Sequence, residues 1–114
     1  MENILTLTVH SDPGHAWVEL PKDIADRIGM QASACSYESF DALFLEEDCD
    51  AVIMLYKLAA NGISQVRFKD KTYNGNAPLR HFIPVTDKYR ILSALDYIIA
   101  ADREGMPKAQ VVNG

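Results

Sequence analysis

Phe44-Leu45-Glu46-Glu47-Asp48-Cys49-Asp50, with the apolar run that follows it to Ala60, decides how this chain is read. Ala42 to Leu45 is apolar and carries Phe44, which suits a covered strand. The acids then turn the chain. Asp48 or Asp50 is placed to cap a helix whose Val52, Leu55, Tyr56 and Ala59 recur at i, i+3, i+4 and i+7. Asn61-Gly62 ends that helix, because glycine accepts a left-handed backbone. A strand, an acidic turn and a buried helix in this order point to an α+β domain. They also crowd Glu46, Glu47, Asp48 and Asp50 around one helix N-terminus.

Upstream, Ile4 to His10 alternates: Leu5, Leu7 and Val9 on one face, Thr6, Thr8 and His10 on the other. Ser11-Asp12-Pro13-Gly14 is turn chemistry, with Pro presetting φ and Gly supplying a positive φ. His15 to Leu20 returns as a second strand. With Pro13 and Gly14 as the loop, Val9 faces Val18 and Leu7 faces Leu20 on the core side. Thr8 then faces Glu19, and His10 faces Trp17. A bulge would shift the register by one and turn Trp17 inward. Pro21 to Ile28 is a short helix stopped by Gly29. Leu20 to Gly29 resembles the strand-to-helix element of AbrB-type DNA-binding antitoxins over about ten residues. Ala25 stands where that family has Arg, so the likeness is read as local convergence.

Ala32 to Tyr37 and Ala42 to Glu46 form a second hairpin in this reading. Downstream, Gln65 to Tyr73 alternates Arg67, Lys69 and Lys71 against Val66 and Phe68, as an edge strand guarded by charge does. Leu79 to Val85 suits a last short strand. Thr86 caps a long helix from Asp87 to Glu104 whose inner face is Ile91, Leu92, Leu95, Ile98, Ile99 and Asp102. Gly105 and Pro107 end it. The expectation is one α+β domain over 1–106 with a frayed tail at 107–114. Its sheet is mainly antiparallel, with four to six strands, a short helix, a central helix and a long C-terminal helix. Leu7, Val9, Val18, Val52, Leu55, Leu95 and Ile98 make its core.

The 114 residues are 48% hydrophobic, enough for a single core. No run reaches the length of a membrane span. Met1-Glu2-Asn3 lacks a basic region ahead of an apolar one, so no signal peptide is expected and the reading is cytoplasmic. Cys35 and Cys49 have no CxxC spacing and read as free thiols, with a disulfide between them left open. Residues 1–50 carry eleven acids against Lys22 and Arg27, a net −9; the rest carries nine bases against five acids, a net +4, which together make −5. An acidic front repels phosphates, which disfavours direct binding of nucleic acid, and it attracts basic partners or cations.

Asp12-Pro13-Gly14-His15-Ala16-Trp17, Ser36-Tyr37 and Leu45-Glu46-Glu47-Asp48-Cys49-Asp50 together resemble a family of short uncharacterised proteins of bacterial, plasmid and phage genomes. Those read D-P-G-H-G-W and Y-L-E-E-D-C-D at similar spacing. Ala16 stands here for that family's Gly, and Phe44 for its Tyr. The likeness covers roughly the first half of the chain. It implies a mobile-element setting and carries no chemistry.

Two function classes follow. In the first, a small non-enzymatic binding protein docks on a host protein with a basic surface through Asp12, His15, Trp17, Glu46, Glu47, Asp48 and Asp50. No cofactor and no metal belong to this reading, and a homo-oligomer is left open. A mobile-element origin extends it to an inhibitor of host defence, anti-CRISPR or antirestriction. Trp17 shares its hairpin face with Thr8, His10 and Glu19, so it is expected to be at least partly exposed, or covered only by a partner chain, and to anchor binding. The competing reading lays a helix over that face. The second class is a metal-dependent hydrolase using His15 and the acids at 46–50, one imidazole with hard carboxylates. Glu46 and Glu47 would leave a strand on opposite faces, which limits convergence. Acids at a helix N-terminus also complement its dipole with no ligand involved. No nucleophile elbow, phosphate loop or basic aromatic patch is present.

Overall fold

Alternating apolar residues produce β1 (Ile4–Ser11) and β2 (Ala16–Pro21), paired antiparallel with Val9 opposite Val18 and His10 opposite Trp17. This is the register that Pro13-Gly14 as a loop predicts, with no bulge. The computed structural model describes residues 4–84 and 88–112, whose further elements are α1 (Lys22–Ile28), β3 (Tyr37–Glu38), β4 (Ala42–Glu46), α2 (Asp50–Ala60), β5 (Gln65–Thr72), a 3-10 turn (Pro78–His81), β6 (Ile83–Pro84), α3 (Lys88–Arg103) and β7 (Gln110–Val112). The fold is α+β.

Among the described residues the sheet has seven strands in the order β6-β3-β4-β2-β1-β5-β7, more than the four to six expected. β1–β2, β2–β4, β3–β4 and β3–β6 are antiparallel; β1–β5 and β5–β7 are parallel. Part of the segment read as a frayed tail supplies β7, which pairs with Gln65, Val66 and Arg67. Of the strand expected over Ala32 to Tyr37, only Tyr37–Glu38 forms, because Ser33 and Ser36 bond a buried side chain instead of a neighbouring strand. The strand expected from Leu79 shrinks to Ile83–Pro84. The cap at Thr86 lies outside the described residues.

Both sheet faces are covered. On one, Leu7, Val18, Leu20, Leu43, Leu45 and Val66 meet Ala25 and Ile28 of α1, Met54 and Leu58 of α2, and Ala94 of α3. On the other, Trp17, Ala42 and Phe44 lie under Ala77 and Leu79, with Tyr37 and Tyr73 at the margin. Trp17 is therefore 2% exposed, and its expected exposure is overturned. The cover is the 3-10 turn and its approach, not a helix.

The helix faces also differ from expectation. In α2 the fully buried side chains are Asp50, Met54 and Leu58, with Ala51 and Ile53 beside them, while Val52 and Leu55 are half-buried. Asp50, Met54 and Leu58 stand at i, i+4 and i+8 on one stripe. The sequence is apolar nearly all round this helix, so a buried aspartate sets its rotation. In α3 the inner face is Ala94 and Ala101 with Tyr97 and Ile98 between, and Leu95 and Ile99 are 44% and 55% exposed. Small alanines let α3 approach α2 closely, where Tyr56 and Tyr97 meet edge-on at 6.4 Å. Asp102 is exposed. The side chains of Ile91 and Leu92 lie outside the description. The expected helix stops hold: Gly29, Gly62 and Gly105 all take positive φ. At Gly62 the motif closes with Ile63 N–H donating to the Leu58 carbonyl at 2.9 Å.

Candidate functional site

The β1–β2 turn is closed by Asp12. Its Oδ1 accepts the N–H groups of Gly14 and His15, each at 3.0 Å, and its own N–H donates to the His15 carbonyl at 2.9 Å. Aspartate is suited to this because its short side chain reaches backbone two and three residues on. Gly14 does not take the positive φ expected of it. The other oxygen, Oδ2, accepts the Ala77 N–H at 2.9 Å and ties down the segment that covers Trp17. His15 is left exposed at the turn's end.

At the far end of β4, the chain leaves the sheet after Glu46. Glu46 Oε2 accepts the Asp48 N–H at 2.9 Å, and Glu47 N–H donates to the Ala16 carbonyl at 3.1 Å. This tight turn brings carboxylate oxygens of Glu46, Glu47 and Asp48 within 4.8 Å of one another. The divergence expected of Glu46 and Glu47 in a continuous strand is thus removed. Glu46 Oε1 lies 3.9 Å from His15 Nδ1. Burial pushes the Glu46 carboxyl above its ordinary range; the Asp48 N–H opposes this, the Asp48 and Glu47 charges add to it, and His15 opposes it.

Asp50 stands apart from these acids. It is fully buried, and its Oδ2 accepts Ser33 N–H at 2.7 Å, Ser33 Oγ–H at 2.9 Å and Ser36 Oγ–H at 2.5 Å. Ser36 Oγ in turn accepts the Glu46 N–H at 3.1 Å. The helix does begin at Asp50, but neither Asp48 nor Asp50 caps it through a side chain. Asp50 anchors the 33–36 loop, so it is removed from any surface contact or shared metal set.

These two anchors frame one cleft of 260 Å³, lined by His15, Trp17, Cys35, Tyr37 and Glu46. Trp17 meets Tyr37 edge-on at 6.0 Å and His15 at 5.8 Å. The three sequence clusters, at Asp12 to Trp17, Ser36-Tyr37 and Leu45 to Asp50, therefore converge in space. Asp12 and Asp50 hold the segments that form the cleft; His15 and Glu46 line it beside Trp17, and exposed Glu47 and Asp48 extend its acidic edge from the same turn.

Two features escaped the sequence reading. His10, read only as a polar strand residue, is buried with Nε2 at 2.7 Å from Glu19 and Nδ1 at 2.9 Å from the Tyr73 hydroxyl. Its signal was the diagonal placement of Glu19 on the same hairpin face. Phe40, in the β3–β4 turn between Glu38 and Asp41, is 99% exposed. An aromatic inside a polar turn was its only signal. No family model matches the chain, and no curated protein or solved structure was found similar to it.

Proposed function

We propose that this chain is a small acidic non-enzymatic binding protein that docks on a host protein with a basic surface. The mobile-element setting implied by the cluster resemblance extends this to inhibition of a host defence system of the CRISPR or restriction type. The observation that carries the reading is the rim of the cleft. Exposed Glu47 and Asp48 stand with Glu46 in one group of carboxylates beside His15. The half-buried Asp12 and fully buried Asp50 networks hold that rim before any partner arrives, which lowers the ordering cost of binding. Electrostatic complementarity of this kind raises association rate and selects partners of opposite charge. With Trp17 buried, a fully exposed aromatic is Phe40, whose turn is flanked by Glu38 and Asp41. The test is capture from host lysate, identification of the protein held, and binding with purified components. The expected outcome is a basic protein whose affinity falls at least tenfold with Glu47→Lys/Asp48→Lys at unchanged melting temperature. Undiminished affinity in that variant sinks the reading.

A second reading, the metal-dependent hydrolase, keeps one observation in its favour. The turn gathers Glu46, Glu47 and Asp48 near His15, without Asp50. Calorimetry with Mg²⁺, Mn²⁺ and Zn²⁺ separates the two. A stoichiometric, micromolar signal lost in His15→Ala favours the hydrolase.

A further inference from the structure

We propose that the groove between α2 and the β1–β5 half of the sheet seats a partner segment that carries a large apolar side chain beside Lys or Arg. The inference rests on the docking reading and gives it a contact point. The groove encloses 330 Å³. That is at the small end of the roughly 300–1,000 Å³ usual for ligand pockets, which suits a side chain or two. Alternation in the strands sends Val9, Val18 and Phe68 to the face under α2, where they form the floor. Val52 and Leu55 of α2 form the wall. The rotation of α2 explains the opening. Asp50, Met54 and Leu58 face inward, which turns Val52 and Leu55 to the helix flank. Val9, Val52 and Leu55 have the sequence pattern of core residues, yet no described side chain finishes their burial.

Charge names the occupant. Glu47 and Asp70, both exposed, line the groove, and no Lys or Arg does so among the described residues. Lys69 and Lys71 flank Asp70 in sequence, but alternation sends them to the opposite sheet face. There Lys71 sits over the Tyr73 ring at 5.9 Å. An apolar floor with two carboxylates and no cation selects an apolar group with an adjacent positive charge and rejects acidic segments. Glu47 also belongs to the acidic turn, so the groove is continuous with that edge. Its walls are set before binding. Glu47 N–H donates to the Ala16 carbonyl at 3.1 Å, and Ala109 N–H donates to the Leu55 carbonyl at 2.9 Å. A preformed apolar site takes an anchor at little ordering cost.

The test selects random linear peptides, displayed on phage, on the immobilised wild-type chain. The expected outcome is an enriched motif with a large apolar residue next to Lys or Arg. A synthetic peptide of that motif should shift the amide NMR signals of Val9, Val18, Leu55, Phe68 and Asp70. Its affinity should fall about tenfold or more with Val52→Phe, which fills the groove. Asp70→Lys should lower it about threefold or more. No enriched motif, or one without a basic residue, overturns the proposal. So do shifts confined to other surfaces, or unchanged affinity in a Val52→Phe chain shown by circular dichroism to be folded. A wild-type dimer that Val52→Phe disperses also overturns it, because a second copy then fills the groove. The mapping on wild type keeps the proposal falsifiable should Val52→Phe fail to fold. The docking reading fails separately. A captured partner whose affinity drops with Glu47→Lys/Asp48→Lys but not with Val52→Phe removes the groove and leaves docking intact.

Discussion

Asp50 sits fully buried in the core, where Ser33 and Ser36 supply three donors to one of its oxygens. Removing it leaves those donors without their acceptor, so Asp50→Ala is expected to cost about 3–5 kcal/mol in chemical denaturation. Asp48→Ala, at an exposed position, should change stability by only about 0.5 kcal/mol. Equal effects would show that Asp50 is no anchor. Glu46 is partly buried at the end of β4. Burial raises its carboxyl above the ordinary 4.5, so the native state favours the protonated form. Its contribution is present below that value and is lost as pH rises through the folded one. Glu46→Gln should therefore raise the melting temperature near neutrality, and the gain should vanish below pH 4.5. Cys49 follows the same logic at high pH: burial pushes its thiol from 9.0 to about 12, so its stabilising contribution is complete below pH 9.0 and is lost between the two values. Trp17, the single tryptophan, should emit as a buried indole with little acrylamide quenching. At this scale the sequence was partly legible. Turn chemistry announced Asp12, but nothing local distinguishes the buried Asp50 from the exposed Asp48 two positions earlier. Only the serines at 33 and 36, far along the chain, decide between them.

Elements were legible where a pattern had one physical cause. The β1–β2 register followed from two alternations that had to agree, and the helix stops followed from glycine. The faces of α2 and α3 did not, because hydrophobic bulk is not what orients them. A buried carboxylate sets α2, and two alanines set α3. The check is truncation on both helices, two on α2 and one on α3. Met54→Ala and Leu58→Ala should each cost about 2–5 kcal/mol, as deletions in a closed core do. Leu95→Ala should cost about 0.5 kcal/mol. The reverse ranking would restore the face read from periodicity. Phe40→Ser belongs here too: the β3–β4 turn gains nothing from the ring, so stability should stay within about 0.5 kcal/mol of wild type. A larger loss would mean that the ring packs.

The molecule as a whole is held at one edge by a segment that composition marked as dispensable. Ala109 is buried and its N–H donates to the Leu55 carbonyl at 2.9 Å; Gln110 N–H donates to the Ser64 carbonyl at 2.8 Å. Deleting residues 108–114 strips β7 from β5. It should cost about 2–3 kcal/mol and raise aggregation measured by light scattering, since it frees a strand edge. A deletion that melts like wild type would return this segment to the status of a tail. Sequence could not show the pairing, because a period of two names a face and never a partner. The convergence of three clusters on one cleft was equally hidden. It depends on β2 pairing with β4, which sets Trp17 opposite Glu46.

The parallel pairing of β1 with β5 has a consequence in time. Ile4 pairs with Gln65, which is 61 positions later, and Ser11 pairs with Thr72. As the chain leaves the ribosome, β1 can zip to β2 within a few residues. Its other margin then waits, unsatisfied, until nearly two thirds of the chain has been made. Closure of so distant a pair is slow, so refolding is expected to fall in the milliseconds-to-seconds regime of non-local sheets. A nascent hairpin with one open side is also what a holding chaperone captures.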